Sequence, residues 1–356
     1  MPSPTTPTRL ILDCDPGHDD ALAILVAAGL PDVSIEAITT VGGNQSLDLV
    51  TRNALAVCAV AGFPRTPVSA TPAGGGAHPA LPARAVERVP DSSDDGAPTH
   101  PIVAAGSHGP LLGELSTDPR THGASGLDGP TLPPPAFAED SRHGVDVIID
   151  TILANPGEIT LVATGPQTNI ATAVRREPRI AHLTREVVFM GGGYTKGNIT
   201  PAAEFNMWSD PEAAAIVLGA PWRVTMVGLD VTHQALATDA VRERIGALDS
   251  AAAGFITDLL DFFAGSYREK QGFESPPVHD VVALVRAVAP ALVGVTPATI
   301  RMELHGEFTR GMTVTDFHGR DEHGVVGQVE ARHLAATSLD VDGFWDLVIG
   351  ALARLP

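Results

Sequence analysis

Arg9 to Leu30 reads RLILDCDPGHDDALAILVAAGL. A short aliphatic run, Arg9–Leu12, leads into an acidic octet, DCDPGHDD from Asp13 to Asp20, and then into Ala21–Ala28, apolar enough for a buried helix. Strand, loop and helix in that order open a βαβ unit, and the unit recurs. Candidate strands at Ser34–Val41, Ile102–Ala105, Ile159–Ala163, Glu186–Met190 and Arg223–Val227 alternate with candidate helices at Leu47–Ala61, Val145–Ala154, Asn169–Arg176 and Pro211–Leu218. This alternation predicts an α/β fold: one domain over residues 1–356, with a mostly parallel central sheet flanked by helices. Right-handed crossovers bring the strand C-termini to one edge, the edge where such folds bind ligands.

The polar, glycine-rich segments fall on that edge. Asp13–Asp20 follows the first strand, GGNQ (Gly42–Gln45) the second, and TGPQTN (Thr164–Asn169) the Ile159 strand. GGGYTKGN (Gly191–Asn198) and GLDVTHQ (Gly228–Gln234) follow the next two. Towards the C-terminus, Phe255–Lys270, His279–Ala287 and Val341–Leu355 read as helices, and Ile300–Leu304 and Met312–Thr315 as late strands. From about residue 69 to 100 the chain is rich in Pro, Gly and Ala without periodicity, which reads as a flexible surface insertion or a partial lid.

The chain carries 23 basic and 42 acidic residues, a formal net charge of -19. Nucleic acid and anionic membranes require a basic footprint that this balance does not supply. The longest clean apolar run, Ala21–Leu30, is well short of the roughly 20 residues that span a bilayer. The start, MPSPTTPTR, has no apolar core behind it, and Cys14 and Cys58 make no disulfide framework or paired-cysteine zinc pattern. A cytoplasmic enzyme is the expectation.

Asp13, Asp15, Asp19 and Asp20 crowd one strand end and one helix start. Carboxylates this close do not all ionise comfortably without a cation, and hard divalent ions take several oxygen ligands. A single Asp there would read as a helix N-cap; four in eight residues favour a metal. An EF-hand is excluded, because counted from Asp13 its sixth position is His18 rather than Gly and its twelfth is Ile24 rather than Glu. A strand ending in DxD also suits a Mg²⁺-dependent aspartyl-phosphate phosphatase, although Lys196 and Lys270 lie in unsuitable contexts for holding phosphate.

The ordered set DCDPGHDDA (Asp13–Ala21), TTVGGNQ (Thr39–Gln45), TGPQTNIA (Thr164–Ala171), EVVFMGGGYTKGN (Glu186–Asn198), AEFNMWSDPEAA (Ala203–Ala214), VTMVGLDVTHQ (Val224–Gln234) and VHD (Val278–Asp280) resembles the inosine–uridine nucleoside hydrolases, Ca²⁺-dependent N-ribohydrolases with a Rossmann-like core. The resemblance implies hydrolysis of a nucleoside to ribose and free base by a homodimer or homotetramer. It further implies that Asp15, Asp20 and Asp280, with the Thr164 carbonyl, hold Ca²⁺, and that Asp15 takes the proton from the attacking water. Asp19 would hold a ribose hydroxyl, with Asn44 beside the water and ribose. Asn198, Glu204 and Asn206 would bind the other sugar hydroxyls, and Met190 and Phe205 would pack on the sugar. His279 would protonate the departing base, and His122, on a mobile HGASG loop, would sit near it. Asp13 reads as a brace behind the ligands, and Asp230, His233, His143 and His182 as structural. Where relatives place tyrosines and a basic residue before the VHD segment, this chain has Phe262, Phe263, Tyr267 and Gln271.

The residue types suit that chemistry. Breaking an N-glycosidic bond builds positive charge on the ribose, which carboxylates stabilise, and histidine titrates in the range a leaving-group acid needs. A degenerate protein that binds nucleoside or ribose without turnover is the non-catalytic alternative, weighed against by the retention of both Asp15 and His279.

Overall fold

Strand β1 (Thr8–Cys14) sits inside the sheet, in parallel register with β2 (Val33–Thr40) on one side and β4 (Ile159–Ala163) on the other. Its residues point alternately to the two faces, as extended backbone requires. Leu10 and Leu12 enter one hydrophobic cluster and Ile11 the other, so the strand is buried on both faces and reads as a continuous apolar run. The computed structural model describes residues 7–63, 100–321 and 323–356. Apart from His100, the segment expected to be an insertion at about 69–100 lies outside the described residues.

From β1 the chain runs outwards through α1 (His18–Gly29), β2, α2 (Leu47–Val60) and β3 (Ile102–Ala105), then through the one-turn α3 (Pro119–His122) and α4 (Gly144–Ala154). It re-enters at β4 and continues the other way through α5 (Thr168–Arg176), α6 (Ile180–Leu183), β5 (Glu186–Met190), α7 (Phe205–Ser209), α8 (Pro211–Gly219) and β6 (Val224–Val227). The direction of travel therefore reverses between β1 and β4, and a crevice opens at the carboxyl ends of strands at such a reversal. Four further helices follow, α9 (Leu229–Thr232), α10 (Asp239–Gly246), α11 (Ala251–Gln271) and α12 (His279–Val288). Strands β7 (Val293–Met302), β8 (Thr313–Asp316) and β9 (His333–Leu339) and the closing helix α13 (Val341–Leu352) complete the chain. The sheet order is β3-β2-β1-β4-β5-β6-β9-β7-β8. Only the C-terminal extension breaks the parallel pattern: β9 pairs with β6 in parallel, whereas β7 runs antiparallel to both β9 and β8.

The alternation read from the sequence is present for β1 to β6. Three differences have local causes. Helix α1 begins at His18, so Asp19 and Asp20 stand in its first turn, where carboxylates suit the exposed amides of a helix N-terminus. Helix α11 begins four residues before the apolar run because the Ser250 hydroxyl caps it, accepting from Ala253 N–H. The first half of β7 and all of β9 were not expected as strands. Gly294 and Pro297 interrupt the β7 pattern, and Pro297 is tolerated because β8 pairs only with Thr299–Met302, leaving that side without a ladder.

Helix α13 packs so closely on α1 that a methyl group on Gly29 would overlap the Ala351 carbonyl oxygen, whereas one on Gly265, inside α11, would meet nothing. Gly29→Ala is expected to destabilise the fold by about 1–3 kcal/mol through overpacking. Gly265→Ala should stabilise it by up to ~1 kcal/mol through helix propensity. Thermal unfolding of the two variants beside the parent checks both signs, and a neutral Gly29→Ala would refute the close packing.

Candidate active site

Pro16 and Gly17 turn the chain sharply from β1 into α1, which places Asp15 just before the turn and Asp19 and Asp20 just after it. Gly17 is the N-cap of α1, and its N–H donates to Asp20 Oδ2 at 3.1 Å. A side chain at Gly17 would strike the His122 ring. Asp280 arrives from far along the chain, in the first turn of α12. The carboxylates of Asp19, Asp20 and Asp280 offer oxygens that all lie within 4.8 Å of one another, and all three residues are buried.

Burial disfavours a charged carboxyl, and neighbouring carboxylates disfavour it further. Asp19 is pushed up to about 8, by burial first and by Asp20 next. Asp280 is pushed well above the carboxylate range by burial, Asp19, Asp20 and Asp15, and Asp15 by burial and Asp20. Hard oxygen donors, densely packed and mutually repelling, fit a divalent cation.

Asp15 stands apart from the three. Its Oδ2 accepts from Asn44 N–H at 2.6 Å, and its buried Oδ1 has no hydrogen-bond partner among the described residues. Gly43 and Gly165 crowd this carboxylate so closely that a Cβ on either would collide with it. Asp13 is held from the side: Oδ1 accepts from Thr39 Oγ1 at 2.6 Å and from Asn169 Nδ2 at 2.8 Å, and burial lifts its pKa to about 7. Thr164 donates through Oγ1 to Asp20 Oδ1 at 2.7 Å, while its carbonyl accepts from Asn206 Nδ2 at 2.6 Å.

The loops after β5 make one wall. Glu204 caps α7, accepting from Asn206 N–H (2.9 Å) and Met207 N–H (3.2 Å), and also takes Gly192 N–H at 2.9 Å. Burial still lifts it to about 7. Asn198 Oδ1 accepts from Phe205 N–H at 2.9 Å. The triple glycine is explained at Gly192, where φ is +70° and a Cβ would strike Thr313. Asp230 holds the same loop through Tyr194 N–H (2.8 Å) and the Thr195 hydroxyl.

Helices α3, α11 and α12 make the facing wall. His279 is fully engaged: Nδ1 pairs with Thr232 Oγ1 at 2.7 Å and Nε2 with Tyr267 Oη at 2.8 Å. Burial drives its pKa well below the usual histidine value, and nearby His233 adds to this. His122 ends α3, and its Nδ1 accepts from His18 N–H at 3.2 Å. His18 is itself held between the rings of Phe262 and Phe263, with centroids at 5.2 and 5.0 Å. The Asn53 amide donates to Pro16 O (3.1 Å) and Ser125 O (3.0 Å), joining the acidic loop to the loop after His122.

These walls line a single cleft, part of it open to solvent. Asp19, Asn44, His122, Thr164, Met190, Asn198, Glu204, Phe205, Asn206, His279 and Asp280 line it. Asp15 and Asp20 lie behind that lining. Asp118, Thr121, Lys270 and the His279 partner Thr232 also meet here, with no motif in the sequence to mark their roles, and Tyr267 and Gln271 join the lining. Tyr267 and Gln271 follow Phe263 at four-residue steps, a helical spacing that marks one shared face.

Residues 10–346 match the family described as inosine-uridine preferring nucleoside hydrolase. The chain is 42% identical over 351 residues to the inosine-uridine preferring nucleoside hydrolase of Leishmania major, covering 98% of each. It is 35% identical over 348 residues to the pyrimidine-specific ribonucleoside hydrolase RihA of Citrobacter koseri, covering 97% of each. Among solved structures it resembles the plant nucleoside hydrolase PpNRh1, with a TM-score of 0.82, 29% identity and coverage of 98% of this chain and 99% of that one.

The carboxylate cluster makes a measurable claim on cations. Adding Ca²⁺ to chelator-treated protein is expected to raise Tm, since a ligand held at 100 times its Kd stabilises by about 2.7 kcal/mol. Asp280→Asn should lose most of that shift. An unchanged Tm in both proteins would remove the case for a metal here.

Proposed function

The chain belongs to the inosine–uridine preferring nucleoside hydrolase family, and from that premise we propose how its own residues cleave the N-glycosidic bond of a ribonucleoside. It is a hydrolase of N-glycosyl compounds, and its substrates are small nucleosides. One observation carries the reading: Asp19 and Asp280 of a buried carboxylate cluster and a hydrogen-bonded histidine–tyrosine pair line a single cleft.

Asp15, Asp20 and Asp280, with the Thr164 carbonyl, would hold a calcium ion. When bound, the ion supplies positive charge that acidifies a coordinated water and anchors sugar hydroxyls. Asp15 is the base: it takes a proton from the water that attacks C1′ as the bond to the base nitrogen breaks. Its Asn44 hydrogen bond and the two crowding glycines fix that carboxylate in place. Asp19 would hold a ribose hydroxyl and, with Glu204, set carboxyl oxygens beside the developing oxocarbenium. Asn44, Asn198, Glu204 and Asn206 receive the ribose hydroxyls, and Met190 and Phe205 cover the sugar. His279 gives its proton to the departing base, Tyr267 and Thr232 hold one ring nitrogen each, and His122 stands at the base.

The names of the relatives support inosine and uridine as first substrates to try. Burial of Asp280 next to His279, with Asp15 also kept, speaks for turnover rather than ribose binding alone. A phosphatase reading finds no support, since Lys270 Nζ is occupied by Asp118 and Thr121. The enzyme would act in the cytoplasm as a homodimer or homotetramer. No described helix is long and apolar enough to cross a membrane, and the exposed Phe308, Val325 and Val326 offer apolar surface for a subunit contact.

Incubation with inosine, uridine, cytidine and adenosine, assayed for reducing sugar with and without chelator, tests the reading. No ribose from any of them at high enzyme concentration would sink it. Asp15→Ala should abolish turnover of every substrate. His279→Ala should slow natural nucleosides by about 10²–10⁴-fold, the range of general acid catalysis. It should spare a 4-nitrophenyl riboside, whose leaving group needs no proton; equal losses on both would rule out the acid role.

A further inference from the structure

Helix α3 is a single turn, Pro119–His122, and one turn has no cooperative ladder of its own to hold it. It nevertheless supplies Thr121 and His122 to the cleft, with its N-cap Asp118 beside them. The ties that hold it come from neighbouring segments. Asp118 N–H donates to the Asn44 carbonyl at 3.0 Å, and the His122 ring rests on His18. The outer side is held by α11. Ser266 Oγ donates to the Thr121 carbonyl at 2.8 Å. One turn further, Lys270 Nζ donates to Thr121 Oγ1 at 2.8 Å and pairs with the Asp118 carboxylate. Residues four apart share a helix face, so Ser266 and Lys270 grip α3 together. Side-chain exposures of 22% for Lys270 and 15% for Asp118 leave the pair less screened than an ion pair in open water.

We propose that Ser266 and Lys270 are positioning residues that dock α3 onto α11 and thereby fix His122 as the leaving-group wall of the cleft. The role of that wall rests on the nucleoside hydrolase reading; the docking itself does not. Nucleosides are uncharged, so salt has little direct leverage on their encounter with the site. Screening of the Lys270–Asp118 pair gives salt an indirect one. The rival role for Lys270 is direct contact with the base, and Asp118 separates the two. A docking lysine loses its function when Asp118 is removed, whereas a lysine that touches substrate keeps it.

The test uses the full chain with calcium, comparing Lys270→Ala, Asp118→Ala, the double variant, Lys270→Arg and the milder Ser266→Ala. Docking is supported if Lys270→Ala and Asp118→Ala each raise KM for inosine and uridine by roughly tenfold or more, the scale on which misplacement acts. The double variant should be no worse than either single, as for two residues in one interaction, and Lys270→Arg should recover most of the loss. Parental KM should rise with sodium chloride, and that of the Ala variants should not. Hydrogen exchange over residues 118–123 should quicken in all three single Ala variants, a readout that needs no turnover. Loss in Lys270→Ala with a parental Asp118→Ala, or unchanged exchange, would overturn the docking. Absence of nucleosidase activity in the parent would refute the functional reading alone, with exchange still deciding the docking.

Discussion

Carboxylates repel one another, and this chain buries Asp19, Asp20 and Asp280 together with Asp15 close by at the carboxyl ends of the strands. Their like charges would push the surrounding segments apart unless rigid elements held them. Asp15 is clasped by the Asn44 amide, Asp20 by the Thr164 hydroxyl and the Gly17 amide, and Asp280 by the first turn of α12. Asp13 spends its carboxylate on Thr39 and Asn169, which tie the end of β1 to β2 and to α5. The restraints come from the end of β2 and the loop after it, from the loop after β4 and the start of α5, and from the turns that open α1 and α12. The geometry of the edge is therefore set by the need to hold these charges together for a cation.

Much of this was readable beforehand because the information is local. A strand buried on both faces leaves an apolar run, a turn into a helix leaves Pro-Gly, and four aspartates in one octet leave few other readings. The parallel strands β1 to β6 and the loops that follow them emerge from such patterns. What escaped depends on partners distant in sequence. Strand β9 is partly exposed, and it is a strand because β6 and β7 flank it. Thr232 looks like any hydroxyl until α9 sets it against His279, and Lys270 looks like a surface cation until α3 arrives. The grouping of Asp19 with Asp20 and Asp280, with Asp15 turned to the Asn44 loop, follows from the turn at Gly17, which spacing alone does not disclose.

The two walls of the cleft differ in construction. The wall after β5 hangs from the sheet: Glu204, Asn206 and Asn198 are locked by backbone amides and carbonyls of the loops after β4 and β5. The facing wall is built from helices that meet through side chains, as at Tyr267–His279 and Lys270–Asp118. On the proposed function the first wall takes the ribose, which is common to every nucleoside, and the second takes the base, which varies. Side chains that hold the second wall can be exchanged without disturbing the sheet, and Phe262, Phe263 and Gln271 belong to the helix that builds it.

The absence of a side chain at Gly17 ties two distant parts of the sequence to a shared history. The space a Cβ would need is filled by the His122 ring. Tolerance at position 17 is therefore conditional: even an alanine in the acidic loop would require the His122 ring to retreat and the Asn44 amide to give way. Positions 17 and 122, more than a hundred residues apart, are thereby constrained as a pair.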